Sequence, residues 1–270
     1  AIIGAGPCGL MAAEILATAG HNVTVYDRMA SPARKLLIAG RGGLNLTHSE
    51  PLEKFTTRYG EAENWLAPHI HAFPPQALRT WCEGLGQETF VGSSGRVFPR
   101  SMKAVSLLRA WLQRLDKLGV RYMARHCWQG WEGEDLLFTN ATQQKILVKA
   151  DATLLALGGA SWQRLGSDGS WVKILSEYGV EIVPLRPANC GFIVPWSEHF
   201  STRFAGEPLK SVTLTHNKIS HQGEAMITAQ GIEGGAVYAL SAILRDAIEK
   251  QGKAELQIDL RPSMTHADLT

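Results

Sequence analysis

An α/β fold built on a parallel sheet, followed by a β-rich second domain, is what this 270-residue sequence predicts, and three observations predict it. The apolar strand end Ala1-Ile2-Ile3 runs straight into Gly4-Ala5-Gly6-Pro7-Cys8-Gly9, a G-x-G-x-x-G spacing that turns a strand into a helix. A second strand ends on Tyr26-Asp27, about 20 residues further on, where dinucleotide-binding units carry an acidic residue. Residues 152–157 form a continuous apolar strand, suited to the middle of a parallel sheet, and end at the turn Gly158-Gly159.

Each element has a local cause. Gly4 permits the tight turn, Gly6 lets the backbone approach a diphosphate, and Gly9 lets the helix lie close on the sheet. The free N–H groups and dipole at the start of that helix favour phosphate, and Asp27 is placed to accept a ribose hydroxyl. Ala12, Ala13, Ile15, Leu16 and Ala19 give the helix an apolar face, and Gly20 suits its end. Residues 31–48 read as a short helical turn and a second glycine-rich loop, Gly40-Arg41-Gly42-Gly43, with Asn45 and Thr47 as neutral hydrogen-bonding groups. Residues 75–84 read as a helix, and so do residues 104–118. In the latter, Val105, Leu108, Leu112 and Leu115 make one apolar stripe, widened by Leu107, Trp111 and Leu118, and Gly119 ends it. Strands are expected over 120–131, 136–139, 145–148 and 152–157. A helix near 170–178 leads through Pro184 and Pro187 into a strand-rich stretch, 189–228. A turn-rich segment at 231–235, a helix over 236–250 and a last strand over 254–260 follow. The natural division is residues 1–187 and 188–270.

Composition narrows the function classes. A hydrophobic content of 45% supports real cores, and a formal charge of +2 without a long basic run gives no electrostatic reason to expect nucleic acid as the main partner. The four cysteines lack C-x-x-C spacing, which points away from a disulfide framework or a zinc site and fits a reducing, cytoplasmic setting. No apolar run approaches the roughly 20 residues that span a bilayer, and no signal peptide precedes the first strand, so no membrane partner is expected. With three residues left of the first strand and a polar stretch at the other end, both ends are expected to be cut.

Taken together, these segments resemble the YhiN/BaiN-like family of FAD-dependent flavoproteins, a group of NAD(P)/FAD-dependent oxidoreductases. The resemblance rests on six segments in order: Gly4-Ala5-Gly6-Pro7 with its partner Asp27, residues 34–47, residues 95–99, residues 155–161, Phe204-Ala205-Gly206 and residues 231–235. It implies a Rossmann-type FAD-binding domain assembled from separated segments, with an inserted β-rich domain. It also implies a closing FAD segment, a glycine-rich strand-to-helix stretch for which no counterpart is found here. Site roles follow from the same resemblance. Gly4, Ala5, Gly6, Pro7 and Gly9 would face the diphosphate, Asp27 the adenosine ribose, and Arg28 the adenine. Lys35, Gly40, Arg41, Gly42, Gly43 and Asn45 would serve the ribityl and flavin side, the backbone of Trp128 would meet adenine, and Gly158 and Gly159 would close the pocket.

Flavin performs its own redox chemistry, so the protein has to bind, orient and tune it. A side chain acting as a base is needed only where a substrate proton leaves. His48, after the second loop, is a candidate for polarising the ring or taking a proton. Arg41 is a candidate for balancing negative charge on reduced flavin. Cys8, at the helix start, reads as a small residue rather than a redox thiol. His69-x-His71 would point two imidazoles one way on a strand, but no carboxylate or Cys stands nearby, and no metal is expected. Core packing accounts for most of the eight tryptophans. The expectation is an FAD-dependent oxidoreductase of a small organic molecule, with non-covalent FAD and with NAD(P)H or dioxygen as redox partner. Its subclasses are a reductase of conjugated carbonyl compounds and an oxidase of small amines. The alternatives are a flavin-dependent RNA-modifying enzyme, which the nearly neutral charge disfavours, and a non-catalytic FAD-binding module.

Overall fold

The computed structural model describes residues 1–40, 42–264 and 268. The chain divides into two compact units, Ala1–Val183 and Pro184–Thr270.

The first unit begins with β1 (Ile2–Ile3), α1 (Pro7–Thr18), β2 (Thr24–Asp27) and α2 (Arg34–Ala39). A smaller segment follows, with β3 (Thr47–His48), α3 (Leu52–Thr57), α4 (Glu63–Ala72), α5 (Pro75–Gly84), β4 (Thr89–Val91) and β5 (Arg96–Pro99). Next come α6 (Ala104–Lys117), β6 (Arg121–Ala124), β7 (Cys127–Glu132), β8 (Asp135–Thr139), β9 (Lys145–Val148), β10 (Leu154–Leu155) and α7 (Trp171–Glu177). Four parallel strands in the order β10-β1-β2-β6 form the central sheet, and β3-β5-β4 and β7-β8-β9 form two antiparallel sheets.

This parallel sheet is what the alternating glycines and apolar runs call for, with two corrections. The strand at 154–155 lies at the edge of the sheet rather than in its middle, and the strand expected over 120–131 is two strands in different sheets. The break falls at Arg125, whose φ of +58° ends β6, while its N–H still donates to the Met29 carbonyl at 3.1 Å. Such a left-handed residue carries no pattern in hydrophobicity.

One core packs α1 and α6 on the sheet, with Ile2, Leu10, Val25, Leu108, Trp111 and Leu115 buried together. The buried face of α6 runs through Ala104, Leu107, Leu108, Trp111 and Leu115, whereas Val105 is 52% exposed. The stripe is therefore rotated from the one expected: Leu107 and Trp111 belong to its centre, because Trp111 offers the larger apolar surface. Its indole N–H donates to Glu14 at 2.6 Å, the Trp81 indole donates to the same carboxylate at 3.1 Å, and Arg114 pairs with it at 2.8 Å. One carboxylate thus joins α1, α5 and α6.

His69 and His71 sit on α4, not on a strand. Two residues apart on a helix they lie on different faces, so the shared-face reading fails geometrically. Among the described residues no cluster of His, Cys, Asp or Glu with metal-holding geometry is present, and no helix is long and apolar enough to cross a membrane.

The second unit is a five-stranded sheet in the order β11-β14-β13-β12-β15. Its elements are β11 (Phe192–Ile193), α8 (Glu198–Phe204), β12 (Pro208–His216), β13 (Ile219–Thr228), β14 (Gly231–Glu233), α9 (Gly235–Ala239), α10 (Ser241–Gln251) and β15 (Gln257–Asp259). Its core gathers Val212, Leu214, Ala225, Ile232, Val237 and Leu244. Gly231 opens a strand rather than a turn, because a Cβ there would stand 1.9 Å from the Phe192 carbonyl oxygen on the paired strand. The glycine serves close strand approach.

Candidate dinucleotide site

The glycine loop between β1 and α1 has the geometry its spacing predicts. Gly4 has φ +107°, and a Cβ there would lie 2.3 Å from the Ala156 carbonyl oxygen. A Cβ on Gly6 would meet nothing within 4 Å, which leaves the backbone before α1 open. A Cβ on Gly9 would stand 1.9 Å from the Gly4 carbonyl oxygen and 3.3 Å from Ala156 Cβ, so Gly9 packs the helix against the loop rather than facing a ligand. Pro7 occupies the first turn of α1, where its missing N–H costs nothing.

Asp27 holds this loop in shape. Its Oδ2 accepts from the Ala5 N–H and its Oδ1 from the Met29 N–H, both at 2.7 Å, and the Ala5 carbonyl accepts from the Ala33 N–H at 2.8 Å. Each carboxylate oxygen still has a lone pair free, so Asp27 keeps acceptor capacity for a hydroxyl.

A cavity of about 540 Å³ opens over this loop, within the range of cofactor sites. It brings together Gly4, Ala5, Gly6, Pro7, Asp27, Arg28, Lys35, Trp128 and Gly158 from the predicted set. Leu155, Leu157 and Ile174 supply apolar wall. The buried indole N–H of Trp128 has no hydrogen-bond partner among the described residues.

Other predicted positions have other tasks. Gly40 lies under Ala104, where a Cβ would come within 2.5 Å of Ala104 Cβ, so it serves the packing of α2 on α6. Gly43, with φ +115°, faces Met102 Cε, and Gly42 is open. Asn45 Nδ2 donates to the Thr47 carbonyl at 2.8 Å and the Val97 carbonyl at 3.2 Å, bracing β3 on β5. None of these four lines the cavity. His48 lies on β3 with both ring nitrogens engaged: Nε2 meets the Ser94 carbonyl at 3.0 Å, and Nδ1 accepts from the Glu50 N–H at 3.1 Å. Arg41 lies outside the described residues. Gly159 is off the wall, but its carbonyl accepts from Ser167 Oγ at 2.8 Å.

Sequence reasoning named the turn at Gly158-Gly159 but missed the contacts of the segment that follows it. Lys35 Nζ donates to Ser161 Oγ at 3.0 Å and Ser167 Oγ at 3.2 Å, and Arg28 pairs with Asp168 at 2.8 Å. Trp171 Nε1 donates to the Gly158 carbonyl at 3.1 Å. Two cations from one side of the cavity therefore hold a strap of chain on the other. Burial opposes ionisation of Asp168, but hydrogen bonds from Ser170 and Arg28, and the Arg28 charge, outweigh it and bring its pKa down to about 2. A lowered carboxyl pKa stabilises the folded state above the unfolded value of about 4, and the contribution disappears as pH falls towards 2. Asp168→Asn is accordingly expected to lower Tm at pH 6, with the gap to the parent protein closing by pH 2. A gap of constant size across thermal melts would refute the linkage.

The family model described as HI0933-like protein Rossmann domain matches residues 1–250. A 3-dehydro-bile acid delta(4,6)-reductase from Clostridium scindens is 26% identical over 275 residues, spanning 97% of this chain and 64% of the relative. A ribosomal RNA dihydrouridine synthase from Haemophilus influenzae is 26% identical over 277 residues, with the same 97% and 64% coverage. Its namesake from Escherichia coli is 24% identical over 253 residues, covering 89% of this chain and 60% of the relative. The chain thus spans less than two thirds of the length of these relatives.

Proposed function

The chain belongs to the HI0933-like family, and on that premise we propose that its cavity holds FAD non-covalently in an oxidoreductase acting on a small organic substrate, with NAD(P)H as electron donor. The observation that carries this reading is the single cavity uniting the open Gly6 backbone, Asp27, Lys35 and Gly158. When bound, FAD supplies the hydride chemistry.

The chain's own residues do the holding. The bare backbone at Gly6 admits a diphosphate to the N-terminus of α1, where free N–H groups and the helix dipole favour negative charge. Lys35, bonded only to two hydroxyls, brings a positive charge without a carboxylate partner among the described residues. The spare lone pairs of Asp27 suit a ribose hydroxyl, and the apolar wall keeps water from the ring system.

The relative that reduces a bile acid supports the reductase subclass over the amine oxidase. The two dihydrouridine synthases support a second reading, reduction of a base in RNA, which the formal charge of +2 does little to favour.

The deciding experiment is an absorbance spectrum of the purified full-length protein, followed by anaerobic addition of NADH and NADPH. Flavin bands that bleach with either donor are the expected result. A colourless protein that ignores added FAD, or flavin that no pyridine nucleotide reduces, would overturn the reading. RNA binding that falls steeply with salt would move it to the second.

A further inference from the structure

Among the described residues, nothing in the packing calls for a tryptophan at position 162. Its backbone sits in the left-handed region at φ +65° and ψ +60°, which costs any residue with a Cβ and favours glycine or asparagine. Packing offers no compensation, because the side chain is 64% exposed and has no aromatic partner among the described residues. Trp65 is also exposed, at 71%, but it lies on regular helix and has the His69 ring edge-on at 5.7 Å.

The strained turn is nevertheless held firmly, and at the cavity. Ser161, just before it, takes a hydrogen bond from Lys35 of the cavity wall. Ser167, just after it, takes another and donates to the Gly159 carbonyl. Both ends of residues 160–166 are therefore pinned to the wall, Leu165 and Gly166 themselves line the cavity, and the exposed Trp162 stands on the turn that leads into them. Arg164, two residues on in the one-turn helix Gln163–Leu165, is exposed and has no ion-pair partner among the described residues. A flat π surface and an unpaired guanidinium on one pinned turn match a ring that carries negative charge.

We propose that Trp162 and Arg164 form the substrate rim of this site, and that the substrate is a small planar unsaturated ring bearing a carboxylate or phosphate, stacked on Trp162 with its anionic group on Arg164. This rests on the flavin reading above and names its substrate class.

The test measures binding rather than turnover, by equilibrium dialysis of the FAD-loaded full-length protein against redox-inert 2-naphthoate, its uncharged amide 2-naphthamide and oligouridylate. Naphthoate is expected to bind more tightly than the amide. Trp162→Ala should weaken naphthoate about tenfold and Trp162→Phe should restore most of it. Arg164→Gln should remove the preference for naphthoate over the amide. The flavin absorbance per protein should be the same in all three variants, since neither side chain lines the dinucleotide cavity. Equal naphthoate affinity in parent and Trp162→Ala, no binding of either ring compound, or tighter and salt-sensitive binding of oligouridylate would each overturn the proposal. A failure of the flavin reading is separate, since it shows as absent flavin bands before any ring compound is added.

Discussion

Gly9→Ala is expected to destabilise the first unit by about 3 kcal/mol or more, while Gly6→Ala, three residues earlier, is expected to leave the Tm within a degree or two and abolish tight FAD binding. At Gly9 a methyl group would stand 1.9 Å from a backbone oxygen that cannot move without opening the loop. Overpacking of that kind costs about 1–3 kcal/mol even where neighbours relax, and here the neighbour is main chain. At Gly6 the same methyl meets no protein atom within 4 Å and enters the space through which a diphosphate would reach the helix N-terminus. A loss of about a hundredfold in FAD affinity, about 2.7 kcal/mol, is the scale for one such overlap. Urea unfolding of both apoproteins and flavin titration of both variants check the pair. Were Gly6→Ala to melt like Gly9→Ala, or to keep normal FAD affinity, the division of labour in the loop would be wrong.

The second large effect is expected at Glu14. Its carboxylate is 12% exposed and receives two indole N–H groups and an arginine from two other helices. Glu14→Ala strands both indole N–H groups and takes from Arg114, which keeps the Gly84 carbonyl, its charge partner, so a loss of about 3 kcal/mol, the lower end of the range for a buried pair, is expected. The double replacement Glu14→Leu with Arg114→Met is expected to recover much of that loss, because apolar groups of similar volume leave fewer buried polar atoms unmet. Denaturant midpoints decide the matter; a Glu14→Ala midpoint within error of the parent would show that water already satisfies these groups.

The parts of the site that lie close together in sequence were legible there. The geometry at Gly4, Gly6 and Gly9 follows from spacing alone, because each glycine answers a local geometric demand, and the length of the intervening helix brings Asp27 to the loop, where it braces the Ala5 and Met29 N–H groups. What stayed hidden is long-range. Arg28 and Asp168 are 140 residues apart, and nothing in the composition of either segment announces the other. The second glycine loop is hard to read for a related reason: a glycine needed for φ, for space or for a ligand looks the same in a string of letters. Gly40 turns out to need space under Ala104. The hydrophobic stripe of α6 had the right period but a shifted centre, since Trp111, with the larger apolar surface, also answers a carboxylate about two helical turns into α1 that its own neighbours in sequence do not announce.

That shared carboxylate has a practical use. The Trp81 and Trp111 rings lie 4.8 Å apart, nearly perpendicular, and both are tethered to the same charged oxygens. With the other six tryptophans replaced by phenylalanine, the emission of the apoprotein should report helix docking at a point that does not line the cavity. Fluorescence of that apoprotein and visible absorbance from a chromophore added afterwards would then read two separate events, so assembly of the scaffold and loading of the cargo can be timed independently.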